Sequence, residues 1–267
     1  MHIISSIILG IVEGATEFVP ISSSGHLIIA RDILGWNGPG GLTFDAILQL
    51  AAALALVVYF WKDIWRLIKS FFALISRKSV EHKDRVMIFA IILGTIPAVI
   101  GGLLLEKQMS TIFRSAELVA WVLLLGSAFM YFAEKIATKN KELTVGKGFW
   151  VGVFQCLALV PGFSRSGATI SGGLFLGLNR EDAARFSFLL SIPIILGSGA
   201  KELLGVVHTG IVGASSLDLL AGSVTAFIVG LLAIGFLMKY LKNHTLNLFV
   251  WYRVILALVV LLVIHFA

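Results

Sequence analysis

Apolar runs and short polar connections alternate along the chain. Read at helical spacing, six runs predict membrane-spanning helices: residues 44–61, 86–105, 118–133, 186–200, 219–238 and 250–266. Stretches 86–105 and 219–238 carry no charge. As helices they are long enough to cross a hydrocarbon core of about 30 Å. Such runs, in place of short alternating strands, argue against a β-barrel.

Two more apolar segments are broken. Pro20 and Ser22–Gly25 interrupt the first; Pro161, Gly162 and Ser164–Gly167 interrupt the second. The pieces on either side run about 12–16 residues, or roughly 18–24 Å of helix, short of a full crossing. They predict re-entrant hairpins that dip in and return to the same face. Irregular backbone at that depth needs protein or a water-filled cavity around it.

Shifted by 142 positions, the chain begins to match itself. Gly10, Ser22, Ser24, Gly25, Ile28, Leu34, Gly35, Asn37, Phe44, Leu48 and Leu54 fall on Gly152, Ser164, Ser166, Gly167, Ile170, Leu176, Gly177, Asn179, Phe186, Leu190 and Leu196. Each half then reads as one hairpin followed by three spans, about 1–140 and 141–267, within a single integral membrane domain 1–267. Three crossings is an odd number, so the second repeat must be inverted relative to the first.

Charge orients this arrangement. One connection carries Lys62, Arg66, Lys69, Arg77, Lys78, Lys83 and Arg85, a second Lys135, Lys139, Lys141 and Lys147, a third Lys239 and Lys242. The alternate connections hold only Lys107 and Arg114, then Lys201. The positive-inside rule places the first set in the cytoplasm and the first hairpin's mouth outside.

Composition supports this class. Of 267 residues, 58% are hydrophobic and 13% charged, with a mean hydropathy of +0.97, against about half and a quarter in soluble domains. The net charge of +6 sits between apolar spans and is spent on orientation, so nucleic acid is not expected as a partner. Met1–Val12 lacks a basic leader region, so no cleavable signal peptide is expected. Cys156, the single cysteine, excludes an intrachain disulfide. The tryptophans suit an interfacial belt, and His2, His82, His208, His244 and His265 lie near termini or loops rather than in a site.

The chemistry gathers at the breaks. In each, serines follow a proline and can cap the returning helix, Ser22 or Ser23 in the first and Ser164 in the second. A helix N-terminus offers free N–H groups to an anion, and two termini meeting near the midplane suit an anionic ligand. The repeat fails at the reactive positions. Glu13 faces Gln155, Glu17 faces Leu159, Ser23 faces Arg165 and His26 faces Ala168. One half supplies acids, hydroxyl and imidazole, the other a guanidinium. Glu13 and Glu17 are four apart on one helix face. Two carboxylates there repel unless a proton or cation lies between them, and a hard divalent ion that also takes phosphate oxygens fits. The forked donors of Arg165 suit phosphate.

At "EGATEFVPISSSGH" and "PGFSRSGAT" the chain resembles the bacterial undecaprenyl pyrophosphate phosphatase family, associated with bacitracin resistance. The first motif is complete from Glu13 to His26 and the second from Pro161 to Thr169. The resemblance implies release of one phosphate from a polyprenyl pyrophosphate lipid in the bacterial inner membrane, giving the monophosphate carrier that cell-wall synthesis reuses. It also implies divalent-cation dependence, Mg or Ca, and a site open to the outer, periplasmic side. The polyprenyl chain enters through the resemblance alone.

The expected mechanism follows. Glu13 and Glu17 hold or orient the metal, Arg165 clamps the pyrophosphate, and Ser23 attacks while His26 handles a proton. Ser22, Ser24, Gly25, Gly162, Ser164, Ser166 and Thr169 line the cradle. Direct attack by a water held by Glu17 competes with Ser23. A lipid-phosphate transporter or flippase is the rival class, and a homodimer is left open.

Overall fold

The structure, a computed structural model, describes residues 2–33, 41–110, 115–137, 141–209 and 214–266. The repeat matches at Leu34, Gly35 and Asn37, the loop residues Arg114 and Lys139, and the boundary at Asn140 lie outside these residues. Among the described residues there are helices and no strand.

Each half opens with two short helices. α1 (His2–Thr16) and α2 (Ser23–Asp32) flank the first break. α3 (Gly41–Tyr59), α4 (Trp61–Ile75), α5 (His82–Ser110) and α6 (Ala116–Ile136) complete the first half, and α7 (Val145–Gln155) starts the second. A 3₁₀ turn over Cys156–Leu159 extends α7, and α8 (Arg165–Phe175) lies beyond the second break. The remaining helices are α9 (Arg180–Thr209), α10 (Ser216–Tyr240) and α11 (Asn247–Phe266). α5, α6, α9, α10 and α11 are long and apolar enough to cross a membrane, and α3 makes a sixth when joined to α4. The protein is therefore a multi-pass helical membrane protein.

The stretch 61–85, expected only as a polar cytoplasmic connection, contains a further helix. α4 turns 80° from α3 at Phe60. Trp61, Trp65, Phe72 and Ile75 stay exposed on it while Leu67 is buried. That amphipathic spacing suits a helix lying along an interface. Ion pairs hold it down: Asp63 accepts from Arg185 at 2.5 Å and Arg66 at 3.3 Å, and Asp84 accepts from Arg66 at 3.2 Å. Counting charges for orientation concealed the apolar period beneath them.

The halves pack into each other. α1 lies along α10 of the second half, and α7 lies along α5 of the first. Glycines permit both approaches. A Cβ on Gly10 would meet the carbonyl oxygen of Gly222 at 2.5 Å, and one on its repeat counterpart Gly152 would meet that of Gly94 at 2.0 Å. Small residues at matched crossings let membrane helices close on backbone contact. α3 against α9 and α6 against α11 complete the bundle. Both breaks lie inside it.

Candidate active site

Each break is built the same way. At both N-caps a serine adopts a left-handed backbone, φ 75° at Ser22 and at Ser164, a region that non-glycine residues rarely occupy. Ser22 Oγ accepts from Gly25 N at 3.3 Å, and Ser164 Oγ accepts from Gly167 N at 3.1 Å. The shared strain at positions 142 apart marks one motif used twice. Gly162 turns the second break at φ 99°, where an added Cβ would meet Val119 O at 2.8 Å.

Cross-links join the two breaks. Gly162 N donates to Ser22 Oγ at 3.2 Å. Arg253, 0% exposed on α11, donates to Pro20 O at 3.2 Å in the first break. In the second it donates to Gly162 O at 3.0 Å and Phe163 O at 2.9 Å, and it also reaches Leu123 O of α6. One guanidinium thus satisfies carbonyls that broken helices leave without N–H partners.

Glu17 stands where the breaks meet. Its Oε1 accepts from Arg165 Nη2 at 3.0 Å and from Gln49 Nε2 at 3.1 Å, and its Oε2 accepts from Ser23 Oγ. Glu13, 2% exposed, lies one helical turn before it, its backbone carbonyl accepting from Glu17 N at 2.9 Å. Arg165 is the cation facing both carboxylates, and its Nη1 is buried without a partner. Two acids and one fixed cation leave a positive charge to be supplied, and a donor is aimed at nothing. No group of three or more His, Cys, Asp or Glu gathers in metal-ligating geometry among the described residues. Two carboxylates completed by phosphate oxygens are the donor set that Mg²⁺ commonly takes, so these residues fit a cation that arrives shared with its substrate.

The structure brings Glu13, Glu17, Ser23 and Arg165 together. Both nitrogens of the His26 ring have partners other than Ser23. Nδ1 is 2.7 Å from Ser22 O and Nε2 is 2.8 Å from Tyr252 Oη, against whose ring it stacks. The carbonyl can only accept, so Nδ1 carries a proton. Ser22, Gly25, Gly162 and Ser164 form the paired caps described above. Ser24 is exposed with Oγ 3.5 Å from Ser22 Oγ, and Ser166 is buried with Oγ 3.2 Å from Ser164 Oγ. Thr169 turns to its own helix and to α9, donating to Arg165 O at 2.8 Å beside Ser187 Oγ at 2.5 Å.

Sequence reasoning passed over Gln49, Tyr252 and Arg253. Arg253 had a usable signal, since a lone arginine inside an apolar span is costly enough to need a purpose. Gln49, four residues after Asp45 in an apolar run, had a weaker one.

The family model described as bacitracin resistance protein BacA matches residues 6–259. The chain is 43% identical over 265 residues to undecaprenyl-diphosphatase 1 of Corynebacterium jeikeium (strain K411), covering 98% of this chain and 94% of that one. It is 44% identical over 265 residues to undecaprenyl-diphosphatase of Corynebacterium striatum, with the same coverage. With undecaprenyl-diphosphatase of Geotalea daltonii it shares 41% over 270 residues and the whole of both chains. The chain belongs to the bacitracin resistance protein BacA family.

Proposed function

We propose that this protein hydrolyses undecaprenyl pyrophosphate to undecaprenyl phosphate and inorganic phosphate. The observation that carries the reading is the Ser23–Glu17–Arg165 constellation spanning both breaks, joined to the names of the relatives. A nucleophile already bonded to its base, with a cationic donor beside them, is equipment for phosphoryl transfer.

Ser23 Oγ attacks the terminal phosphorus while its proton passes to Glu17 Oε2. The Oγ–P bond forms, the bridging P–O bond breaks, and the lipid monophosphate leaves. The leaving lipid phosphate takes that proton from Glu17; water then attacks the phosphoserine and gives a proton to Glu17, which returns it to Ser23 Oγ as the Oγ–P bond breaks and phosphate leaves. Arg165 steadies the non-bridging oxygens, its free Nη1 taking one of them. Glu13 and Glu17 would hold the divalent cation, Mg or Ca, which supplies charge neutralisation on the phosphates. A water on Glu17 can replace Ser23 as attacking group; trapping a phosphoenzyme that disappears in Ser23→Ala selects the serine route.

The described arrangement also supports two inverted repeats with re-entrant hairpins. The matched caps, the reciprocal packing of α1 on α10 and α7 on α5, and the odd number of spans per half all favour it. Basic connections then face the cytoplasm of the inner membrane and the first break opens outward.

Phosphate release by purified protein in detergent, with and without chelator, tests the activity and its cation together. Release that a chelator abolishes and Mg²⁺ or Ca²⁺ restores supports both. Unchanged release under chelation removes the cation alone. Intact substrate removes the phosphatase and leaves a transporter, which has no use for a serine bonded to a carboxylate.

A further inference from the structure

Three donors hold Glu17, and two of them belong to the breaks. Ser23 donates to Oε2, and Arg165 donates to Oε1 at 3.0 Å. The third, Gln49, comes from α3 and donates to Oε1 at 3.1 Å. A carboxylate only accepts, so the amide must present its N–H there rather than its oxygen. Gln49 lies four residues after Asp45, on the same face of α3. Asp45 accepts from Arg31 of α2 at 2.5 Å. One face of α3 therefore grips the returning helix α2 at one point and Glu17 at another.

We propose that Gln49 is a positioning residue for the hydrolysis, fixing Glu17 so that Oε2 is the oxygen that takes the attacking group's proton. The inference rests on Glu17 being that proton acceptor. With two N–H donors on Oε1, the carboxylate cannot turn without giving up both, and its remaining basic lone pairs face Ser23. Arg165 cannot do this alone. A bound pyrophosphate draws the guanidinium toward its own oxygens, and Gln49 is then the uncharged donor that stays on Oε1. The logic is that of a nucleophile, its base and a third group orienting the base. The same constraint applies when water replaces Ser23.

Two substitutions test it in purified protein with undecaprenyl pyrophosphate as substrate. Gln49→Leu keeps a side chain of roughly similar bulk and removes the N–H; kcat should fall about tenfold to a hundredfold with KM within about threefold. Gln49→Glu keeps the shape but adds another carboxylate beside Glu17 and Glu13, and should fall further. A glutamine serving only solvation or packing gives the opposite order, Glu tolerated and Leu not, and that order overturns the inference. A Gln49→Leu kcat within about threefold of wild type overturns it too, as does a rise in KM with kcat unchanged.

Melting in detergent supplies a readout apart from activity. Gln49→Leu and Glu17→Ala should be non-additive in the double variant, since each removes the same bond; additive shifts count against the contact. Glu17→Gln separates two failures. Full turnover in Glu17→Gln removes the reading of Glu17 itself, whereas an inactive Glu17→Gln beside a fully active Gln49→Leu removes the role of Gln49 alone.

Discussion

Arg253 and Glu17 are both buried ionisable groups, yet their surroundings ask different things of them. Arg253 spends its donors on backbone carbonyls of both breaks and of α6. Arg253→Met would leave the carbonyls of Pro20, Gly162 and Phe163 buried and unpaired, at about 1–3 kcal/mol for each that finds no water, while Leu123 O keeps the bond from Ser127 Oγ. A fall in melting temperature, with loss of monodisperse protein in detergent, is the expected outcome. Glu17 instead faces Ser23, Arg165 and Gln49. Glu17→Gln should abolish turnover while melting shifts far less than in Arg253→Met, and equal losses of stability would merge the two roles. The sequence made Glu17 legible because an acid pair beside serines stands out in an apolar chain. Arg253 was hidden inside a run read only for its hydropathy. His26 shows a different limit: nearness to Ser23 along the chain did not reveal the partners of its ring nitrogens, Ser22 O and Tyr252 Oη.

At the scale of elements, the breaks were readable and the contacts between helices were not. Proline followed by capping serines locates a helix start in any chain, and α2 and α8 begin at Ser23 and Arg165. The six expected spans correspond to α3, α5, α6, α9, α10 and α11. α4 was missed because its lysines and arginines marked the segment as a loop, although its apolar residues recur at helical spacing. Which helices touch depends on small residues whose partners lie far along the chain. Gly152 is the sharpest case, with space for a Cβ only 2.0 Å from Gly94 O. Gly152→Val should push α7 off α5 and destabilise by about 1–3 kcal/mol or more, as overpacking does. Gly146→Val is the control, because nothing lies within 4 Å of a Cβ there. Melting of the two variants in detergent checks this, and equal stability would mean that the α5–α7 crossing can yield.

For the whole molecule, orientation is the claim that composition reaches most directly. With Cys156 changed to serine, a cysteine at Leu217, exposed at the start of α10, should react with an impermeant thiol reagent added outside intact cells. A cysteine at Lys78, between α4 and α5, should react only after the membrane is opened. The reverse pattern overturns both the orientation and the outward site. The pairing of an acidic break with a basic one follows from the same architecture. On the proposed duplication, two equal helix termini became unequal at Glu17 and Arg165, and neither half would hold the chemistry alone.

That dependence on both halves is tested most directly by steady-state phosphate release from undecaprenyl pyrophosphate by Arg165→Lys beside wild type. Lysine keeps the charge but loses the planar fork that reaches Glu17 and a phosphate oxygen together. Losing one well-aimed electrostatic contact commonly costs about 10²–10³ in turnover. The account predicts a folded variant with kcat lowered by that order and KM changed less. A kcat within a few-fold of wild type would take Arg165 out of the chemistry, and the second break with it.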